Sequence, residues 1–292
     1  MDAILPAVAG AAGRLLAFAA MSSGELRVGT VPYLVGRPLD FGLERESGFS
    51  VARLVPAELV RALRAGELDV ALVSSIELFR RPGYRYLDGL AVSGEGAIAS
   101  VQVFLRAPLP QVRRVALDPS SEAAATLVRV LLTAKGVERE FVEVAPGSDP
   151  SRAEADAWLE IGDPALRRYL SPGAPPVFNP SQEWAARTGL PFAFAVWIVR
   201  PGVALRQSQI EAFARARAQG AGRIGALAAE ASRAWKLPVE ACTRYLAQEC
   251  RYEPGPKLEP SLLSFRDAAA ALGLCRGDLE PEAIAVPIAH VS

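Results

Sequence analysis

Short apolar runs alternate with amphipathic stretches through the first two thirds of the chain, after which the pattern turns wholly helical. Residues 26–31 predict a strand that ends in the turn Pro32-Tyr33-Leu34-Val35-Gly36-Arg37-Pro38, followed by a short helix to Leu43. A second strand is predicted at 49–55. Pro56 then opens an amphipathic helix over 57–65, at the first helical position, where its missing N–H has no intrahelical partner to lose. Gly66 closes that helix, and residues 70–73 give the next strand, running into Ser74-Ser75-Ile76-Glu77. Strand and helix in alternation favour a parallel sheet with crossover connections. Extended structure resumes at 90–92 and 100–105, and Pro108 and Pro110 mark a change of unit.

A second α/β unit begins with a strand at 114–117. Asp118-Pro119-Ser120-Ser121 caps a helix predicted over 122–135, with Gly136 as its stop. Ser120 or Ser121 serves as the N-cap, and Asp118 lies near the positive end of the helix dipole. Strands follow at 141–144 and 157–161. The run Thr188-Gly189-Leu190-Pro191-Phe192-Ala193-Phe194-Ala195-Val196-Trp197 opens on a turn and continues apolar through Val199. An alternating strand would leave one face wet, whereas a continuous apolar run implies burial on both faces. Phe192 and Phe194 become candidates for the wall of a ligand crevice. Helices are predicted at 207–218, 224–235, 239–248 and 262–272, with no internal repeat.

Together these elements predict an α/β protein of two domains, with mixed sheets, helices on both faces and a cleft between the domains. That is the layout of type II periplasmic-binding-protein folds. Residues 25–107 and 200–292 form the first, discontinuous domain, and 108–199 form the inserted second domain. The crossings, near 104–112 and 195–202, act as a hinge. Residues 1–24 form an N-terminal extension. Its apolar stretch carries Asp2 where an export signal has basic residues, and Arg14 interrupts it before it is long enough to span a membrane. An over-long start or a loosely attached helix is the expectation there.

Composition narrows the function. Hydrophobic residues make up 51% and charged residues 22%, which predicts a core-forming protein. Acidic and basic residues balance at 32 each, against a nucleic-acid-binding surface. Of the basic residues only Lys135, Lys236 and Lys257 are lysines, an arginine bias that fits a GC-rich genome. Cys242, Cys250 and Cys275 show no CxxC spacing, so neither a zinc site nor a disulfide framework is indicated, and a reducing cytoplasm fits. The sole histidine is His290, near the end of the chain. Ser-His-Asp triads, Cys-His dyads and His-ligated metals are therefore disfavoured.

Ligands of such folds sit where loops at strand ends and helix N-termini converge. Tyr33, Val35 and Arg37 lie in the first such loop, where Arg37 is a candidate carboxylate partner through its planar fork. Ser74 and Ser75 end a buried strand. Gly94-Glu95-Gly96-Ala97-Ile98-Ala99-Ser100 permits close backbone approach at Gly96 and Ala99 and places Ser100 at a strand start. Ser120 and Ser121 open a helix whose free N–H groups suit an anion. Gly162 and Asp163 open another, with Pro164 at the first helical position. Solvation of Arg37 and helix capping by the serines and Asp163 also account for these residues, so both readings stay open.

The ordered set Leu26-Arg27-Val28-Gly29, Tyr33-Leu34, Pro38-Leu39, Ser74 with Ile76-Glu77, Ser100-Val101, Val115-Ala116-Leu117, Ile161-Gly162-Asp163 with Ala165-Leu166, Trp184 and the run at 188–197 resembles the chorismate dehydratase family of the futalosine route to menaquinone. The resemblance covers roughly residues 25–255. It implies a cytoplasmic protein with a periplasmic-binding-protein-like fold that removes water from chorismate, giving 3-[(1-carboxyvinyl)oxy]benzoate, without metal or organic cofactor. It also implies that a carboxylate of the substrate itself acts as base and that Ser100 is the catalytic serine. Tyr33, Val35, Arg37, Ser74, Ser75, Gly96, Ala99, Ser120, Ser121, Gly162, Asp163 and Phe192 form the expected substrate site. No nucleic-acid or membrane partner and a monomeric or homodimeric state are expected.

The chain departs from the family pattern at ligand-facing positions. Val35 stands where the family has asparagine. Glu122, Ala123 and Ala124 replace arginine, threonine and serine, and Asn179-Pro180-Ser181 replaces Asp-Leu-Gly. A diverged non-catalytic binding protein, or a related enzyme, for a small aromatic or cyclic carboxylate is the alternative these departures leave.

Overall fold

The computed structural model describes residues 24–133, 137–145 and 147–287. The extension before Gly24, the helix stop expected at Gly136 and His290 lie outside the described residues.

β1 (Leu26–Thr30) pairs in parallel with β2 (Phe49–Arg53) on one side and β3 (Val70–Ser74) on the other. The chain between β1 and β2 makes a short α-helix, α1 (Arg37–Asp40), between two 3₁₀ turns. α2 (Pro56–Arg64) starts on its proline, as the sequence predicts, and buries Leu59, Val60 and Leu63 against the sheet. β4 (Arg85–Gly94) is longer than the strand predicted at 90–92.

A second sheet follows, built from β5 (Val101–Leu105), β6 (Arg114–Leu117), β7 (Glu140–Glu143), β8 (Ala157–Ile161) and β9 (Val177–Phe178), in the order β7-β6-β8-β5-β9. Its helices are α3 (Glu122–Leu132), α4 (Gly162–Leu170) and α5 (Pro180–Thr188). Ser121 is the N-cap of α3, its Oγ accepting the Ala124 N–H at 3.3 Å, a contact of roughly 1 kcal/mol. α4 begins at Gly162, so Asp163 lies inside its first turn rather than at the cap.

β10 (Phe192–Val199) then enters the first sheet between β3 and β4, antiparallel to both. That central position buries both faces and explains the continuous apolar run. Trp197 is fully buried, with its ring 4.9 Å from Phe213 of α6 (Gln207–Ala221). α7 (Ile224–Trp235), α8 (Val239–Arg244) and α9 (Leu258–Ala270) pack on this first domain, and β11 (Glu282–Ile284) completes the sheet order β11-β4-β10-β3-β1-β2.

The first sheet is mixed, as the fold class predicts, because β10 runs against both β3 and β4, while β1, β2 and β3 keep the parallel pairing that strand–helix alternation favours. One expectation is corrected, since sheet membership moves the domain crossings. β5 belongs to the second sheet although it precedes residue 107, and β10 belongs to the first although it precedes residue 200. The chain therefore changes sheet within 95–100 and again within 189–191. The prolines at 108 and 110 mark a turn inside the second domain, where Gln111 N–H bonds Pro108 O.

Candidate active site

The carboxyl ends of β1, β3 and β8 and the start of β5 face one another across the two sheets and enclose a cleft of about 600 Å³, including its open mouth. Tyr33, Val35, Ser74, Ser100, Ser121 and Gly162 line it, six of the residues expected there. Apolar walls come from Leu72, Val92, Ile98, Val101, Ile161 and Phe194. None of the lining side chains is charged. The N-termini of α3 and α4 reach the cleft through Ser121 and Gly162.

Tyr33 ties the two domains together. Its ring lies over Gly162, where an added Cβ would stand 3.1 Å from it, and Gly162 also holds φ at +71°. Both facts make any side chain at that position costly. Burial pushes the Tyr33 hydroxyl well above its usual acidity range, with Asp118 and Asp163 adding to the shift, so it stays protonated. The next residue, Leu34, donates its N–H to Asp163 Oδ1 at 3.0 Å. Burial raises the Asp163 carboxyl to about 7, against the pull of the Leu34 N–H and Arg167. Gly162 N–H in turn donates to the Ser100 carbonyl at 2.8 Å.

Seven predicted residues are placed differently. Arg37 is buried and ion-paired with Asp40 Oδ1 at 3.0 Å, because that fully buried carboxylate three residues on requires a partner; it does not reach the cleft. Ser75 donates to the Ala193 carbonyl at 2.6 Å and seals the seam with β10. Gly96 lies on an outer loop with nothing within 4 Å of an added Cβ. Ala99 is buried outside the cleft lining, and its N–H donates to Glu249 Oε2 at 2.9 Å. Ser120 lies in an adjoining recess with Asp118, which accepts its N–H at 2.8 Å. Asp163 acts at the domain seam rather than on the cleft wall. Phe192 is fully buried among Trp184, Phe194 and Phe265, and the pairing slips between Ala193 and Ala195, so Phe194 faces the cleft in its place.

The departures from the family pattern also acquire positions. Val35 lines the cleft as an apolar patch, and Ala123 and Ala124 are fully buried. Glu122 is ion-paired with Arg80 of the first domain, so its charge is matched rather than free to repel an anion. Asn179 caps α5 through the Gln182 N–H at 3.0 Å and donates to the Ile98 carbonyl at 2.9 Å, which anchors the loop before Ser100. Sequence reasoning missed Cys250, which lines the cleft from the C-terminal segment, and Tyr245 beside it. No spacing motif marks either residue. Among the described residues, no cluster of three or more His, Cys, Asp or Glu side chains is placed to hold a metal ion.

Two interleaved α/β domains with an uncharged cleft between them define a fold of the periplasmic-binding-protein-like class. The same fold is found in a protein from Archaeoglobus fulgidus (TM-score 0.69, 18% identity, 87% of this chain and 100% of that one). It is also found in the alkanesulfonate-binding protein of Xanthomonas axonopodis pv. citri (TM-score 0.64, 16% identity, 91% of this chain and 100% of that one). The chain belongs to the menaquinone biosynthesis family, whose sequence model matches residues 26–271. It is 32% identical over 266 residues to the chorismate dehydratase of Thermus thermophilus, covering 83% of this chain and 96% of that protein. It is 29% identical over 169 residues to the chorismate dehydratase of Campylobacter jejuni, covering 56% and 58%.

Proposed function

We propose that this protein is a chorismate dehydratase that converts chorismate to 3-[(1-carboxyvinyl)oxy]benzoate and water. The observation that carries the reading is Ser100, 3% exposed at the domain crossing and opening on an enclosed, uncharged cleft, in a chain matched to the family from residue 26 to 271.

The chemistry suits such a site. A ring proton leaves the carbon that bears the enolpyruvyl ether, and hydroxide leaves the adjacent carbon. The ring becomes aromatic, and proton and hydroxide depart as one water. Aromatisation supplies the driving force, so the protein mainly orients the reacting groups and excludes solvent. A carboxylate of the substrate takes the proton, in keeping with a cleft that offers no carboxylate or imidazole of its own. Ser100 donates a hydrogen bond to the departing hydroxyl. The α3 and α4 N-termini, with Ser121 and Ser74, hold the carboxylates, and the Tyr33 phenol closes the cleft between the domains. Apolar walls strengthen each of these interactions by excluding water. The three free cysteines suit a reducing cytoplasm as the place of work.

Ser100→Ala and Val35→Asn test the reading together, assayed by the ultraviolet change of aromatisation. Ser100→Ala is expected to lower kcat by about 10²-fold or more, as for loss of a hydrogen-bond donor to developing charge. Val35→Asn is expected to raise kcat by restoring a polar group beside Ser100. Unchanged kcat in Ser100→Ala would remove the serine from the mechanism.

A further inference from the structure

The C-terminal helical segment reaches the cleft at one irregular place. After α8 the backbone widens into a π-helical turn over Tyr245–Glu249 before Cys250 extends away. Such turns are rare and are frequently found at functional sites. This one docks on the loop that carries Ser100. Glu249 accepts the Ala99 N–H at 2.9 Å, and Cys250 lines the cleft itself. Arg251 pairs through its backbone with Ser93, at 2.7 and 3.0 Å, and so fixes the end of β4 just before the crossing.

Tyr245 is fully buried in this turn, with its hydroxyl beside both Ser100 and Cys250. The hydroxyl has no hydrogen-bond partner among the described residues. Burial pushes its acidity far above the usual tyrosine value, so it keeps its proton and remains a donor. An unspent buried donor is costly, and phenylalanine would fill the same space without that cost. A role for the hydroxyl must offset it.

We propose that Tyr245 is a positioning residue for Ser100. When substrate fills the cleft, the phenol O–H donates to Ser100 Oγ, which turns the serine's own proton toward the leaving hydroxyl of the substrate. No proton is transferred from the phenol; it fixes one rotor of the serine out of several. The π-turn sets this geometry by bringing Tyr245 and Glu249 to the same loop. The inference rests on the reading of Ser100 as the hydroxyl that faces the substrate.

The test is a double-mutant cycle on the full chain with chorismate. Tyr245→Phe is expected to lower kcat about tenfold with KM changed less than about twofold, the size of one lost orienting hydrogen bond. Its Tm should be unchanged or raised, since the variant removes a buried polar group. Ser100→Ala combined with Tyr245→Phe should be no slower than Ser100→Ala alone, because the phenol then has nothing to orient. Full kcat in Tyr245→Phe with Ser100→Ala impaired would overturn the positioning role and leave Ser100 in place. Additive losses would make Tyr245 merely structural. An unimpaired Ser100→Ala would overturn both readings.

Discussion

Asp163 accepts the Leu34 N–H across the domain seam, and burial raises its carboxyl from 3.8 to about 7. Below pH 3.8 the folded and unfolded chains both hold that proton. Between there and about 7 only the folded chain holds it, so this group's contribution to stability is lost as pH rises through that window and is level above it. Asp163→Asn keeps an acceptor and never ionises. It is expected to raise Tm at pH 8 and leave Tm unchanged near pH 3.5 in a thermal-melt series. A lower Tm at pH 8 would show that the charged bond to Leu34 outweighs the cost of its burial. The residue scale is also where the sequence is least legible. Arg37 displays its charge in the sequence, but not that Asp40 is sealed beneath it. Ser75 displays a hydroxyl, but not that the Ala193 carbonyl already takes it. Ser100, Ser121 and Gly162 are legible because strand ends and helix starts place them by local pattern.

At the scale of elements, β10 was readable from its unbroken apolar run, since only a strand flanked on both sides and covered on both faces needs one. Which sheet it joins was not, because pairing is a long-range choice that no local pattern encodes. The same holds for β5, whose strand is plain in the sequence while its partners β8 and β9 lie far along the chain. The bulge that turns Phe194 rather than Phe192 into the cleft follows from that pairing. The π-turn after α8 likewise reads as ordinary helix, because its residues have normal helical propensity. Burial makes β10 the centre of stability. Trp197→Ala leaves a large cavity between the sheet and α6 and is expected to cost about 3–5 kcal/mol, measured by denaturant unfolding. A cost below about 1 kcal/mol would mean that the sheet and helix collapse onto the gap.

Across the whole molecule, the two domains meet through Tyr33 on Gly162, Leu34 on Asp163 and Arg80 on Glu122. The last pair turns a charge of the same sign as a dicarboxylate into a contact between domains. Arg80→Ala frees Glu122 beside the α3 N-terminus and is expected to raise KM about two- to fivefold at low salt, the range for a half-exposed pair. Glu122→Ala added to Arg80→Ala should recover part of that loss, and no recovery would show that Glu122 does not act on the substrate. Among the described residues no helix is long and apolar enough to cross a membrane. Turnover by the purified protein tests the assigned reaction most directly. Chorismate incubated with it in the presence of a metal chelator should lose one water, with the ultraviolet spectrum of a substituted benzoate appearing in proportion to enzyme. Saturable binding of a benzoate-like ligand with no conversion of chorismate would contradict the account.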